Sequence, residues 1–378
     1  MPLTKQQHFE AHGPKRILSL DGGGIRGVLT LEYLAVIEAM LRTRSGREDF
    51  RLCDYFDLIG GTSTGAILAA GLACGLRVAQ LQDLYDSLAN DVFKSSVFRK
   101  GVLAAKFPTD PLQRALEKQL GAQTTLGSDA VRTGLLVMTK RFDTGSPWPL
   151  HNHPSATYAA QDCALRLVEI VRASTAAPTY FQPEEIAISS RAGVIVQGAF
   201  VDGGVSPFND PSLQLLMVAT LAGHGFRWPT GAGNLLLISV GTGTRRQPVP
   251  TTEVLGWPPI ELGVRALQSL MDDSSRVNLQ IMHWLTRCVT PWVVNRALGD
   301  MQTDSANGPK LATYARYNAV LEPGWLGDTL GIKTFSDERL AEIAQMDRPA
   351  NVTQLRDIGR RAAEVQITAD HFPQTFDV

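Results

Sequence analysis

The sequence predicts an α/β protein: a mostly parallel β-sheet with helices packed on both faces. Three observations carry this expectation. Short apolar runs alternate with helical patterns as far as Thr244, the arrangement that builds a parallel sheet from strand–helix–strand units. Two junctions between an apolar run and a helical pattern are glycine-rich turns, at Asp21–Gly27 and Gly61–Gly65. Hydrophobic residues make up 44% of the 378-residue chain and charged residues 19%, enough apolar material for a buried core and far from the composition of a disordered chain.

The first strand is expected at Arg16–Leu20, where a short apolar run suits a central position in a parallel sheet. It leads through Asp21-Gly22-Gly23-Gly24-Ile25-Arg26-Gly27 into a helix at Val28–Leu41, where Leu31, Leu34, Ile37 and Leu41 recur at helical spacing. A second strand, Tyr55–Gly60, meets Gly61-Thr62-Ser63-Thr64-Gly65 and a small-residue helix at Ala66–Ala73. The uncharged stretch Leu58–Leu76 holds Gly60, Gly61, Gly65, Gly71 and Gly75, a poor lipid-facing composition, and reads as a buried strand, turn and helix. Further strands are expected at Leu135–Phe142, Val194–Val201 and Leu235–Val240. Helices are expected at Val78–Phe93, Pro111–Leu120, Gln161–Ala173 and Pro211–Leu221. After Thr244 helical patterns dominate, at Ile260–Leu270, Val277–Cys288, Asp337–Gln345 and Val352–Val365. The expected organisation is therefore an α/β domain over residues 15–245 and a helical cap or appendage over residues 246–378.

Composition also bounds function. Lys+Arg total 36 against 37 Asp+Glu, a net charge of −1, so no global basic field collects phosphate backbones and no nucleic-acid polymer is expected as a partner. Cys53, Cys74, Cys163 and Cys288 are far apart and form no CxxC pair. With no clustered His/Cys ligand set, neither a disulfide framework nor a metal or other cofactor is expected. The first residues are polar and lack the apolar core of a secretory signal, which fits a cytoplasmic protein.

The sharpest chemical feature is Gly61-Thr62-Ser63-Thr64-Gly65, a G-x-S-x-G between a strand and a helix. A nucleophile elbow needs small residues two before and two after the serine, because the tight turn brings neighbouring backbones close. The serine then sits at a helix N-terminus, whose free N–H groups and dipole favour the negative charge that forms on attack. An ordinary glycine-rich turn is the plain alternative. Asp21–Gly27 can bring backbone N–H groups close to an anion, with Arg26 adding positive charge. It serves as an oxyanion hole or as a phosphate cradle. The phosphate reading lacks the Gly-Lys-Ser/Thr of a Walker loop, and Glu48 and Asp49 do not follow an apolar strand as a dinucleotide site would want. Asp202-Gly203-Gly204 directly follows the strand ending at Val201. It is a plain turn or, at a strand end where α/β sheets assemble sites, a base for Ser63. A histidine base following serine and aspartate would have to be His224, His283 or His371, none of which follows a clear strand.

Asp21–Gly27, Gly61–Gly65 and Asp202–Gly203, in this order, resemble the patatin-like phospholipase family, and Ala173-Ser174-Thr175-Ala176-Ala177-Pro178-Thr179-Tyr180-Phe181 resembles its fourth block. The resemblance covers about residues 15–245. It implies a three-layer α/β/α sandwich and a Ser/Asp dyad without histidine: Ser63 the nucleophile, Asp202 the base, with Gly22, Gly23, Gly24 and Arg26 building the oxyanion hole. The N–H of Thr64 at the elbow is expected to contribute to that hole. The layout is also similar to bacterial patatin-like effectors of antiphage systems. That likeness implies activation by a cyclic dinucleotide, attack on membrane phospholipid at the membrane surface, and homo-oligomers.

The expected function is thus a serine acyl hydrolase of phospholipase A type. Two other classes compete: a nucleotide- or anion-binding module using Asp21–Gly27, and a non-catalytic protein of the same fold. The apolar stretch Ile281–Val294, with Trp284 and Trp292, reads as a buried helix and bend, or else as a membrane-touching surface.

Overall fold

The computed structural model describes residues 3–10, 12–89, 109–178, 180–189, 194–246 and 248–378. Among these, nine strands form one sheet: β1 (Lys15–Leu20), β2 (Leu58–Thr62), β3 (Gly134–Arg141), β4 (Ser146–His151), β5 (Glu184–Ser189), β6 (Ile195–Asp202), β7 (Leu235–Val240), β8 (Arg287–Cys288) and β9 (Thr313–Tyr317). Their order is β5-β6-β3-β2-β1-β7-β9-β8, with β4 also pairing β3. From β3 to β8 every neighbouring pair is parallel, whereas β4, β5 and β6 join antiparallel.

The central strands are apolar throughout because helices cover both faces, and successive side chains enter opposite layers. Leu18, Leu20, Ile59, Val137, Leu236 and Ile238 belong to one core. Ile17, Leu58, Leu136, Met138, Leu235 and Leu237 belong to the other. The first core lies under the helices Gly27–Ser45, Thr64–Ala73 and Leu167–Thr175, and the second under Ser212–Thr220.

Several elements differ from expectation for definable reasons. The helix Gly27–Ser45 is buried continuously from Gly27 to Leu34 rather than along one stripe, because the C-terminal helix Val352–Gln366 packs on its outer side, with Gly359 against Leu29. The expected helix Gln161–Ala173 is two helices, Ala159–Asp162 and Leu167–Thr175, separated by the bridge of Arg166 with Thr125. Residues 90–93 of the expected Val78–Phe93 helix lie outside the described residues, and the described helix is Val78–Leu88. Ile260–Leu270 and Val277–Cys288 merge into one helix, Pro259–Leu285. The segment after residue 245 is helical in its longest elements but also supplies β8 and β9. Because β9 pairs with β7 over five residues, this segment completes the sheet rather than capping a finished one.

The stretch Ile281–Val294 divides: Trp284 is 45% exposed, while Trp292 donates from Nε1 to the Arg316 carbonyl at 2.9 Å and stacks near Trp325. No helix among the described residues is long and apolar enough to cross a membrane.

Candidate active site

Strand register brings two distant residues together. Over residues 136–141, β3 pairs with β4 along one edge, so β2 and β6 must share the other. Thr62, the last residue of β2, lies opposite Met138, and Asp202, the last residue of β6, lies opposite Thr139. The strands run in opposite directions and meet end to end. Ser63 therefore leaves β2 where Asp202 leaves β6.

Ser63 is bent into the elbow that its flanking glycines permit. Its backbone stands at φ 54° and ψ −124°, a conformation that costs a non-glycine residue of order 1–3 kcal/mol. A Cβ on Gly61 would meet the Gly65 carbonyl oxygen at 2.0 Å, and one on Gly65 would meet the Leu20 carbonyl oxygen at 2.1 Å. The Ser63 N–H donates to Ser174 Oγ at 2.8 Å, and that hydroxyl donates to the Met138 carbonyl at 2.7 Å. Ser63 is half-buried at the start of the helix Thr64–Ala73.

Asp202 is buried. Desolvation raises its pKa to about 6, while hydrogen bonding with the Ser63 side chain and the Gly204 N–H works against that rise. The Gly204 N–H reaches Oδ1 at 2.7 Å. The Asp202 N–H donates to the Ala176 carbonyl at 3.0 Å. Ser174 and Ala176 thus hold the backbones of Ser63 and Asp202 from one helix end, a role visible in the sequence only as part of the Ala173–Phe181 block. Thr179 of that block lies outside the described residues.

The Gly22–Gly24 loop lies against Ser63: a Cβ on Gly22 would come within 3.2 Å of the Ser63 Cβ. Of the three glycines expected to donate, Gly22 is corrected by the structure, because its N–H is already taken by the Asn209 carbonyl at 3.1 Å. Its contribution is close approach. The N–H groups of Gly23 and Gly24 and of Thr64 have no acceptor among the described residues, whereas the next amide, that of Ile25, donates to the Met346 carbonyl at 2.8 Å. Thr64 Oγ1 donates to the Gly24 carbonyl at 2.8 Å and ties the loop to the elbow. Arg26 is half-buried and its Nε has no partner among the described residues. Burial lowers its pKa, and Asp272 and Asp21 oppose that shift.

The candidate histidines are engaged elsewhere. His224 Nδ1 lies 3.0 Å from His151 Nε2, His283 Nε2 accepts the Trp292 N–H at 3.4 Å, and His371 Nδ1 lies 2.9 Å from the Tyr317 hydroxyl. Burial lowers the pKa of all three. All four cysteines are unpaired, and no cluster of metal-ligating side chains occurs among the described residues.

The patatin-like phospholipase family matches residues 18–215, a span that holds Ser63, Asp202 and the Gly22–Gly24 loop. The chain belongs to the patatin-like phospholipase family. The chain is 35% identical over 209 residues to a cGAMP-activated phospholipase of Escherichia coli (strain TW11681), covering 54% of this chain and 55% of that one. A cGAMP-activated phospholipase of Vibrio cholerae is 34% identical over 207 residues, 52% and 55% of the two chains. Patatin-17 of Solanum cardiophyllum is 29% identical over 242 residues, 60% of each. The matches thus span little more than half the length of these curated relatives.

Proposed function

We propose that this patatin-like chain is a serine acyl hydrolase of phospholipase A type that cleaves ester bonds of membrane glycerophospholipids through Ser63 and Asp202. The observation that carries this reading is the end-to-end meeting of β2 and β6, which sets a strained serine against a desolvated carboxylate. Asp202 accepts the Ser63 proton as Oγ attacks the ester carbonyl. The N–H groups of Gly23, Gly24 and Thr64 receive the negative charge of the tetrahedral intermediate, with Gly22 permitting the approach and Arg26 adding positive charge nearby. Asp202 then protonates the departing lysophospholipid oxygen. Water, deprotonated by the same carboxylate, attacks the acyl-Ser63 ester, releases fatty acid and restores the serine.

We further infer that the enzyme works on the membrane surface as a homo-oligomer switched on by a cyclic dinucleotide. The names of the bacterial relatives support the switch. The free amides of Gly23 and Gly24 beside Arg26 equally suit a bound anion, which keeps a nucleotide-binding module as the competing reading.

The test is fatty acid release from phospholipid vesicles by wild type and Ser63→Ala, each alone and with cGAMP and a panel of other cyclic dinucleotides. Release only with one nucleotide, lost in Ser63→Ala, is the expected result. Release by wild type alone would remove the switch. No release, with nucleotide binding retained in Ser63→Ala, would replace the hydrolase by the binding module.

A further inference from the structure

We propose that Arg316, next to last in the final strand β9, is a positioning residue that holds the Gly22–Gly24 loop in place beside Ser63. The inference rests on the hydrolase reading for its activity readout, but its geometry stands apart from that reading. Arg316 lies outside the family match at residues 18–215, and it comes from the segment expected to form only a helical appendage.

The loop is joined to a second turn by paired bonds. The Gly22 N–H donates to the Asn209 carbonyl at 3.1 Å, and Asn209 Nδ2 donates to the Gly22 carbonyl at 3.4 Å. The residues flanking this junction are Asp21, before Gly22, and Asp210, after Asn209. Both carboxylates are buried, and both turn to the one guanidinium of Arg316. Asp21 accepts from it through both oxygens, at 2.7 and 2.5 Å. Asp210 Oδ2 lies 3.4 Å from Nη1. Ser239 Oγ on β7 accepts from Nη1 at 2.6 Å, and Asp210 Oδ1 accepts from the Ser212 N–H at 2.9 Å. A planar fork is the group that can serve two carboxylates at fixed angles, which a lysine ammonium cannot do.

Arg316 is itself anchored. Its N–H donates to Thr290 Oγ1 at 2.6 Å, and its carbonyl accepts from Trp292 Nε1 at 2.9 Å. Its strand is pinned to β7, and β7 to β1, so the guanidinium is fixed relative to the strand that leads directly into Asp21. Burial pushes the Asp21 carboxyl towards its neutral form, and the Arg316 charge opposes that push. The first free amides, those of Gly23 and Gly24, begin one and two residues beyond the clamped junction.

The experiment compares wild type, Arg316→Lys and the double variant Arg316→Met/Asp21→Asn. The double variant removes the cation together with one of the carboxylates it would otherwise strand, which limits misfolding. Turnover of p-nitrophenyl butyrate, measured alone and with the cyclic dinucleotide panel, gives kcat and KM, and peptide-level hydrogen exchange follows Gly22–Ile25. Expected for both folded variants is a kcat lowered about tenfold or more with KM changed less than about twofold, because displaced donors act on the transition state. Arg316→Lys should lose less than the double variant, and exchange at Gly22–Ile25 should quicken in both. A folded variant with wild-type kcat and unchanged exchange overturns the proposal, even if its melting temperature has dropped. If wild type fails to turn over the ester both alone and with every cyclic dinucleotide, the hydrolase reading fails instead, and hydrogen exchange still decides the role of Arg316.

Discussion

A buried carboxylate held ready beside a serine is expensive for the fold, and that cost has measurable consequences at single residues. The pKa of Asp202 is raised from 3.8 to about 6. Folding therefore favours the protonated form: the benefit is full below the unfolded pKa and is lost as pH rises through about 6. With about 1.4 kcal/mol for each tenfold change in acidity, the ionised group burdens the fold by on the order of 3 kcal/mol at neutral pH. Asp202→Asn should accordingly abolish ester turnover while raising the melting temperature at pH 7.5. A lower melting temperature with retained turnover would refute both the base role and its cost. In the wild type, kcat/KM should climb with an acid limb near pH 6 and level off above it, since the base must be ionised to take the Ser63 proton. A profile flat from pH 5 to 8 would contradict that assignment. Gly23 offers a separate check, because a Cβ there would stand 2.2 Å from Thr242 Oγ1. Thr242 is held by its own bond to the Gly22 carbonyl at 2.9 Å, so the loop must give way. Gly23→Ala should lower turnover about 10²–10³-fold, the loss typical of one oxyanion donor, with circular dichroism unchanged.

Among the elements, the elbow is the best case of local structure written locally, since Gly61, Ser63 and Gly65 act within one turn. Its support is less local. Ser174 bridges the Ser63 N–H and the Met138 carbonyl, and Ser174→Ala leaves both groups without their partner. The loss should destabilise the protein by about 1–3 kcal/mol and, because the strained turn can relax, lower kcat about tenfold with little change in KM. A variant that loses stability but keeps kcat would show that the turn holds itself. The parallel strands β1, β2, β3 and β7 were legible because both faces are buried and each reads as an apolar run. β4 was not: Pro147 and Pro149 argue against a strand, yet it runs along β3 with no further strand beyond it among the described residues, a place where proline is tolerated. β5, with its Glu184 and Glu185, carries no apolar run and is an outermost strand of the sheet. Asp202 could be found as a strand-end aspartate. That its strand runs antiparallel to β3 and stops head-on against β2 could not, since pairing direction is a property of the sheet.

On the scale of the whole chain, the site depends on residues that no motif joins. Asp21 and Arg316 are 295 positions apart, and an arginine inside Thr313–Tyr317 reads as surface until its buried partner is known. The Met346 carbonyl that takes the Ile25 N–H lies still farther along the sequence from the loop it holds. These contacts make residues 246–378 part of the fold, and a truncation tests that claim directly. Ending the chain at residue 245 removes β9, baring the edge of β7, whose six residues are all buried. It strips Val352–Gln366 from the helix Gly27–Ser45, and it leaves Asp21 and Asp210 buried without their cation. An apolar strand edge is a template for aggregation, and two uncompensated buried carboxylates destabilise what remains. The fragment 1–245 should therefore be recovered as aggregate, or as a species lacking a cooperative thermal transition, whereas the full chain melts cooperatively. A soluble, monomeric fragment with a sharp transition by calorimetry would show that the N-terminal part folds alone. The ties through Arg316 and Met346 would then serve the loop and not the fold.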